Sequence, residues 1–166
     1  MSLELSEFKV TFPAQIGNLE LTIKDYQLRG LFICQKDKQS KATPMTKLTG
    51  DKINDAIMQQ LQDYFSVGTP FHDLPLAPEG TKYEQQVWNA LCKIPYGETR
   101  TYSEIAHKLN SSPRAVGNAC RKNPIAIIIP CHRVVAASGI GGFAGQTNGK
   151  QVGIKRWLLQ HEGVAV

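Results

Sequence analysis

The sequence predicts an α/β domain followed by a mostly α domain that carries a helix-turn-helix. Three observations predict this. Apolar residues alternate with period two through the first third of the chain. Two Thr-x-x-Glu boxes, Thr81 with Glu84 and Thr101 with Glu104, open helical segments in the second half. Between them lies "VGTPFHDLPLAPEG", rich in Pro and Gly and without periodicity, which reads as a linker.

Taken in order, "EFKVTFP", "NLELTIKD" and "LRGLFICQ" read as short half-buried strands joined by turns at 16–18 and 24–27. The polar stretch "KDKQSKATPMTK" follows, and then a helix over 51–65 places Ile53, Ile57, Leu61, Tyr64 and Phe65 on one face. The linker sets the domains at 1–78 and 79–166. After Thr81, Val87, Trp88, Leu91 and Ile94 recur at helical spacing until "PYGET" breaks the chain. Thr101 starts a short helix through Ile105, Ala106 and Leu109, which Asn110 and Ser111 end. Ser112-Pro113 starts the next, since proline fits the first helical position, and that helix runs over 113–122 to Asn123-Pro124. Two short helices separated by a few polar residues fit a helix-turn-helix, with an ordinary helical hairpin as the competing reading. Trp88 and Trp157 read as core residues.

Composition narrows the function classes. Of 166 residues, 42% are hydrophobic and 20% charged, as in ordinary globular proteins. No segment approaches the roughly 18–20 unbroken apolar residues of a membrane helix. The N-terminus "MSLELSEFKV" has no basic-then-apolar block, so no signal peptide is expected. The four cysteines, Cys34, Cys92, Cys120 and Cys131, are then expected as reduced thiols in the cytoplasm. None forms a CxxC pair. Cys34 and His72 could supply two ligands, but no further pair completes a site, so no metal is expected. The net charge of +5 is unevenly placed: residues 1–80 carry 8 basic against 10 acidic residues, and residues 81–166 carry 11 against 4. That asymmetry points the second half toward a polyanion.

The helix "PRAVGNACRKN" is unusual in composition. Ala115, Gly117 and Ala119 are small, while Arg114, Arg121 and Lys122 flank them with positive charge. A small-residue face with basic ends suits close approach to a nucleic-acid groove, a narrow one in particular. Packing of helix on helix through the same residues is the alternative.

In "PIAIIIPCHRVV" a buried apolar run ends in a proline and then in Cys131, His132 and Arg133. A cysteine attacks only as the thiolate, so it needs a base or a positive field. His132 is the nearest base; as adjacent side chains seldom bond directly, a bridging water is expected between them. The base in turn needs a carboxylate to fix its tautomer. Caps and a turn account for Glu84, Glu98 and Glu104, which leaves Glu162. Arg133 is read as bracing the fold.

"IPCHRVV", preceded by "RAVGNACRKNP" and followed by "KRWLLQHEG", resembles the methylated-DNA–protein-cysteine methyltransferases, the 6-O-alkylguanine-DNA alkyltransferase family. The resemblance spans about 82–163. Over the first eighty residues it rests on the order of strands and helix, and implies a ribonuclease-H-like N-terminal domain. It implies that Cys131 accepts the alkyl group, with His132 reached through water, Glu162 behind it and Asn123 as a hinge to the active-site strand. It implies that Tyr102 assists the departing guanine, with Val134, Phe143 and Ala144 around the substrate. Ser103, Asn110, Arg114, Ala115, Ala119, Arg121 and Lys122 would then meet double-stranded DNA through the minor groove, Arg114 filling the stack where alkylated guanine is flipped out. The lesion implied is 6-O-methylguanine, with 4-O-methylthymine as a second candidate. Transfer would be irreversible, once per protein, by a monomer without cofactor. This chain departs from the usual pattern at Ala126, Phe143, Ala144 and Gln146, and in a longer loop before the last helix.

Three other functions would require features of their own. A binding-only relative that flags alkylated DNA would lack the cysteine of this motif. A helix-turn-helix regulator would need a dimer interface or effector domain. A cysteine hydrolase would need Cys and His separated in sequence and meeting in space.

Overall fold

Leu19, Leu21 and Ile23 all point to the buried side of one strand, while the residues between them are part-exposed. That alternation organises the N-terminal unit of the computed structural model, which describes residues 7–34, 43–44 and 52–166. The polar stretch 36–47, apart from Thr43 and Pro44, and residue 51 lie outside the described residues. Strands β1 (Phe8–Ala14), β2 (Gly17–Lys24) and β3 (Gln27–Cys34) form an antiparallel meander, and β4 (Thr43–Pro44) pairs parallel to β1. The sheet order is β3-β2-β1-β4. Asp25 and Tyr26, with φ of 54° and 58°, make the two-residue turn between β2 and β3; both positive values match the twist of a tight hairpin.

Helix α1 (Lys52–Val67) buries Ile57, Met58, Leu61, Tyr64 and Phe65. The Phe65 ring stacks on Phe12 at 6.2 Å, and Tyr64 stacks on Phe71 at 4.7 Å. Each such side chain contributes about 1.5–3 kcal/mol through burial, so this single face suffices to hold the helix to the unit's core. The stretch read as a free linker is partly tied down. Leu28 donates its N–H to the Pro75 carbonyl at 2.8 Å, and Ala77 donates to the Leu28 carbonyl at 2.9 Å. Those bonds use edge groups of β3 that a sheet would otherwise leave unpaired. The chain divides into two compact units, Met1–Pro78 and Glu79–Val166.

In the second unit, α2 (Lys82–Cys92) and α3 (Tyr102–Lys108) begin with complete capping boxes at Thr81/Glu84 and Thr101/Glu104. Ser112 caps α4 (Pro113–Arg121), accepting the Ala115 N–H at 3.2 Å. Between α3 and α4 the chain turns at Asn110, φ 51°, and Tyr83 of α2 bonds Ser111 at 2.6 Å. Helix α5 (Lys150–His161) closes the unit. Val87, Trp88, Leu91, Ile105, Val116, Leu158 and Leu159 form its core. Short strands β5 (Arg100–Thr101) and β6 (Val134–Val135) pair in parallel, with Arg100 opposite Val134. This pairing brings the start of α3, and so Tyr102, beside the Cys131–Arg133 segment, a single 3₁₀ turn. Among the described residues no helix is long and apolar enough to cross a membrane.

Two local expectations change. The apolar run before Cys131 is not a strand. Ile129 bonds back to the Ile125 carbonyl at 3.0 Å, Ile128 to Ala126 at 2.8 Å, and Ile127 has φ 71°. A β-branched residue at that φ is strained, and burial of Ile125, Ile127 and Ile129 offsets the strain. The small-residue face of α4 is also divided. Ala119 is only 2% exposed and its carbonyl accepts from Trp88 Nε1 at 2.9 Å, so it packs in the core and does not face a groove.

Candidate active site

Asn123 follows the end of α4 and ties the turns that precede Cys131. Its Nδ2 donates to the Ile129 carbonyl at 2.8 Å, and its Oδ1 accepts from Ile125 N–H at 3.0 Å. One side chain thus satisfies two backbone groups that no sheet ladder serves. Pro130, at φ −85° and ψ 65°, makes a three-residue turn in which Cys131 N–H meets the Ile129 carbonyl at 2.8 Å. The result is a thiol only 8% exposed at the end of a rigid, apolar segment.

Burial pushes the Cys131 thiol up, while a bond from Asn123, the Lys155 cation and nearby backbone amides oppose the rise. His132 is fully enclosed, and its Nε2 lies 2.8 Å from Glu162 Oε1. Burial drives the imidazole toward its neutral form, against the pull of Glu162. Burial also pushes Glu162 up, but the bonds from His132 and Arg133 prevail and hold its carboxyl at about 2. An ionised carboxylate can only accept, so the His132 proton sits on Nε2 and the lone pair on Nδ1. Nδ1 is buried and has no hydrogen-bond partner among the described residues.

Arg133 does more than brace the fold in general. Its Nε and Nη2 donate to the two Glu162 oxygens at 2.8 and 3.0 Å, and Nη1 donates to the Ile94 carbonyl at 2.8 Å. This fork fixes the carboxylate that fixes the histidine.

A cavity of about 250 Å³ opens at Cys131, lined by Tyr102, Arg114, Cys120, Arg121, Phe143 and Ala144 among others. Tyr102 leads α3, and its hydroxyl is pushed up to about 12, by burial first and then by the thiols Cys120 and Cys131. It stays protonated at neutral pH and can donate. Phe143 and Gln146 exchange both backbone bonds, at 2.8 and 2.9 Å, around Ala144 (φ 49°) and Gly145 (φ 80°). This tight turn forms one wall of the cavity.

The structure distributes the expected site residues unevenly. Cys131, Tyr102, Phe143, Ala144, Arg114 and Arg121 share the cavity, and Asn123, His132 and Glu162 support it from behind. Val134 is buried and does not line it; its carbonyl accepts from Lys155. Ser103, Asn110 and Arg114 are exposed, and Ala115 is half-buried. Lys122 forms an ion pair with Glu84 at 3.0 Å, tying the end of α4 to the start of α2. Among the described residues no group of three metal-ligating side chains occurs.

Sequence reasoning missed Lys155. It is fully enclosed, donates to the carbonyls of Val134 (2.6 Å) and Gly142 (2.9 Å), and lies 5.8 Å from the Tyr102 ring centre. Burial brings its ammonium down to about 8, opposed by the thiols Cys131 and Cys120. The available signal was its position: Val152, Lys155, Leu158 and Leu159 share one face of α5.

The chain matches the family model "6-O-methylguanine DNA methyltransferase, DNA binding domain" over residues 82–164. It is 44% identical over 131 residues to a methylated-DNA–protein-cysteine methyltransferase of Methanosarcina acetivorans, covering 77% of this chain and 81% of the relative. It is 34% identical over 165 residues to the constitutive enzyme of that name from Bacillus subtilis, covering 95% and 96%. It is also similar to the structure of Mycobacterium tuberculosis OGT in complex with DNA, with a TM-score of 0.75 and 38% identity over 93% of this chain and 92% of that one. With the Cys131-His132 pair and its Glu162 support in place, the chain belongs to the methylated-DNA–protein-cysteine methyltransferase family.

Proposed function

We propose that Cys131 takes the alkyl group from 6-O-alkylguanine in DNA, a direct-reversal repair reaction in which each protein molecule acts once. The observation that carries the assignment of residues is the state of His132. Its Nε2 is held by Glu162, which leaves the lone pair on Nδ1, buried and unpartnered on the residue next to Cys131. Nδ1 accepts the thiol proton through one water. The thiolate sulfur then attacks the alkyl carbon in line; the S–C bond forms as the C–O6 bond breaks, and guanine leaves with the electron pair. Tyr102 donates toward that developing anion, and Lys155 stabilises the thiolate before attack. The thioether has no route back, and no step calls for a cofactor. The same chemistry accommodates 4-O-methylthymine.

The chain binds DNA, and the finer picture belongs to the same reading. Helices α3 and α4 act as a helix-turn-helix in unit 79–166, entering the minor groove with Ser103, Asn110, Arg114, Ala115 and Arg121. Arg114, exposed at the cavity rim, takes the place of the flipped base and offsets an unstacking cost of a few kcal/mol. The N-terminal unit is ribonuclease-H-like, a reading supported by its sheet order β3-β2-β1-β4. The protein works as a monomer in the cytoplasm, where its four free cysteines stay reduced.

Intact-mass measurement after exposure to excess 6-O-methylguanine duplex tests this. One methyl per protein, mapped to Cys131, with normal guanine left in the duplex, is the expected result. Many repaired lesions per protein molecule, or a methyl on another residue, would overturn it.

A further inference from the structure

The cavity that holds Cys131 holds a second thiol. Cys120, on the last turn of α4, lines the same space of about 250 Å³ and is part-exposed within it. The two sulfurs belong to one electrostatic cluster: the Cys131 charge raises Cys120, both thiols raise Tyr102, and Lys155 lowers both. Cys120 has no place in a one-carbon transfer. At rest it is inert, because burial and the neighbouring Cys131 push its thiol far up. Alkylation of Cys131 removes the smaller of these causes, since a thioether carries no charge, and leaves burial in place. Lys155 then has one thiol left to support. The first transfer leaves Cys120 as the remaining free thiol lining the cavity among the described residues.

We propose that Cys120 is a second acceptor, specific for alkyl groups that keep a leaving group on their second carbon. This rests on the reading of Cys131 as the first acceptor. In the first step Cys131 sulfur bonds one carbon of the two-carbon unit, and that carbon's leaving group departs with its electron pair. In the second, Cys120 sulfur bonds the other carbon, the remaining halide departs with its pair, and the Cys120 proton passes to solvent. The product is an ethylene bridge joining Cys131 and Cys120 through two thioethers. It consumes the reactive arm inside the protein before water or DNA can meet it. The other groups lining the cavity, the hydroxyls of Tyr102 and Thr147 and the guanidiniums of Arg114 and Arg121, are weaker nucleophiles than a sulfur.

The test uses 1,2-dibromoethane as the probe on the full chain carrying Cys34→Ser and Cys92→Ser, with the unsubstituted chain in parallel. Peptide mapping should recover residues around 120 and 131 as one cross-linked species lacking both bromines. Adding Cys120→Ser should replace it with a hydroxyethyl thioether on Cys131. An open hydroxyethyl thioether on Cys131 of the unsubstituted chain, with Cys120 still titrating as a free thiol after unfolding, would overturn the proposal. So would absence of any adduct on Cys131. A separate arm with 6-O-methylguanine duplex reads the first acceptor alone. A methyl on Cys131 there, without a bridge in the dibromoethane arm, sinks only the second-acceptor role; no methyl there sinks the underlying reading.

Discussion

His132 Nε2 lies 2.8 Å from Glu162 Oε1, and both side chains are wholly enclosed. Because the bonds from His132 and Arg133 keep that carboxylate ionised, the pair fixes which histidine nitrogen holds the proton. Glu162→Gln removes the charge and leaves Arg133 buried without its partner. Transfer should fall by orders of magnitude, with a stability loss of about 3–5 kcal/mol. Single-turnover kinetics on methylated duplex and a thermal melt read the two effects. A variant with the parental transfer rate would show that tautomer control is not needed.

The acid-side pH response follows from two depressed groups, His132 and Glu162. His132 lies below its ordinary 6.5, and Glu162 has dropped from 4.5 to about 2. For both, the unfolded chain binds more protons in the window between the two values. Their stability contribution is therefore full above the unfolded value and is lost as pH falls. Stability should decline first below 6.5, as His132 is forced to charge beside Arg133 and Lys155. It should decline again between 4.5 and about 2, as Glu162 protonates. Denaturant titrations at a series of pH values check this, and a stability maximum on the acid side of 6.5 would contradict it.

Asn123→Ala deletes two backbone bonds in a segment that has no sheet partner. With the Ile125 N–H left unsatisfied and the Ile129 carbonyl keeping only the Cys131 N–H, the expected loss is about 1–3 kcal/mol. Transfer should slow as well, because the turns that present Cys131 loosen. If the melt is unchanged, the turns hold without the asparagine and its hinge role is wrong.

If Lys122 meets DNA as the family resemblance implies, Glu84 is expected to compete with DNA for it. The pair at 3.0 Å offsets part of the Lys122 charge, although its side chain is 67% exposed. Glu84→Gln keeps a residue able to complete the capping box but releases the lysine. DNA binding should tighten severalfold, and the slope of log K against log salt should steepen by up to about 1. Lys122→Ala should change the slope by less than that. Equal and large losses from Lys122→Ala and Arg121→Ala would show that Lys122 leaves Glu84 whenever DNA is bound.

Arg114→Ala should slow transfer on a duplex lesion far more than on free 6-O-methylguanine base. Arg114 is exposed at the rim of the cavity, where its side chain can fill a stack but is not needed to shape the thiol's surroundings. Equal losses on both substrates would make it a pocket residue.

Local chemistry made much of this protein legible in its sequence. The two capping boxes, the alternation of Leu19, Leu21 and Ile23, and the one-sided pattern of Ile57, Leu61, Tyr64 and Phe65 each depend on neighbours a few residues away. Cys131 and His132 are adjacent, and Glu162 stood out as an acid without a local reason to be where it is. What sequence could not show depends on distant partners. The family resemblance implied an active-site strand before Cys131; the structure has Asn123 serving Ile125 and Ile129, and the chain folds into turns instead. Ala119 looked like part of a groove-facing surface until Trp88 covered it. Arg133 closes on Glu162 across 29 residues, and Lys155 reaches Val134 across 21. Burial shifts the protonation of His132, Tyr102 and Lys155, bonds from His132 and Arg133 hold Glu162 ionised against burial, and both belong to the packed molecule. The sequence by itself determined which groups could do chemistry; tertiary structure decided which of them are charged, and which thiols share one cavity.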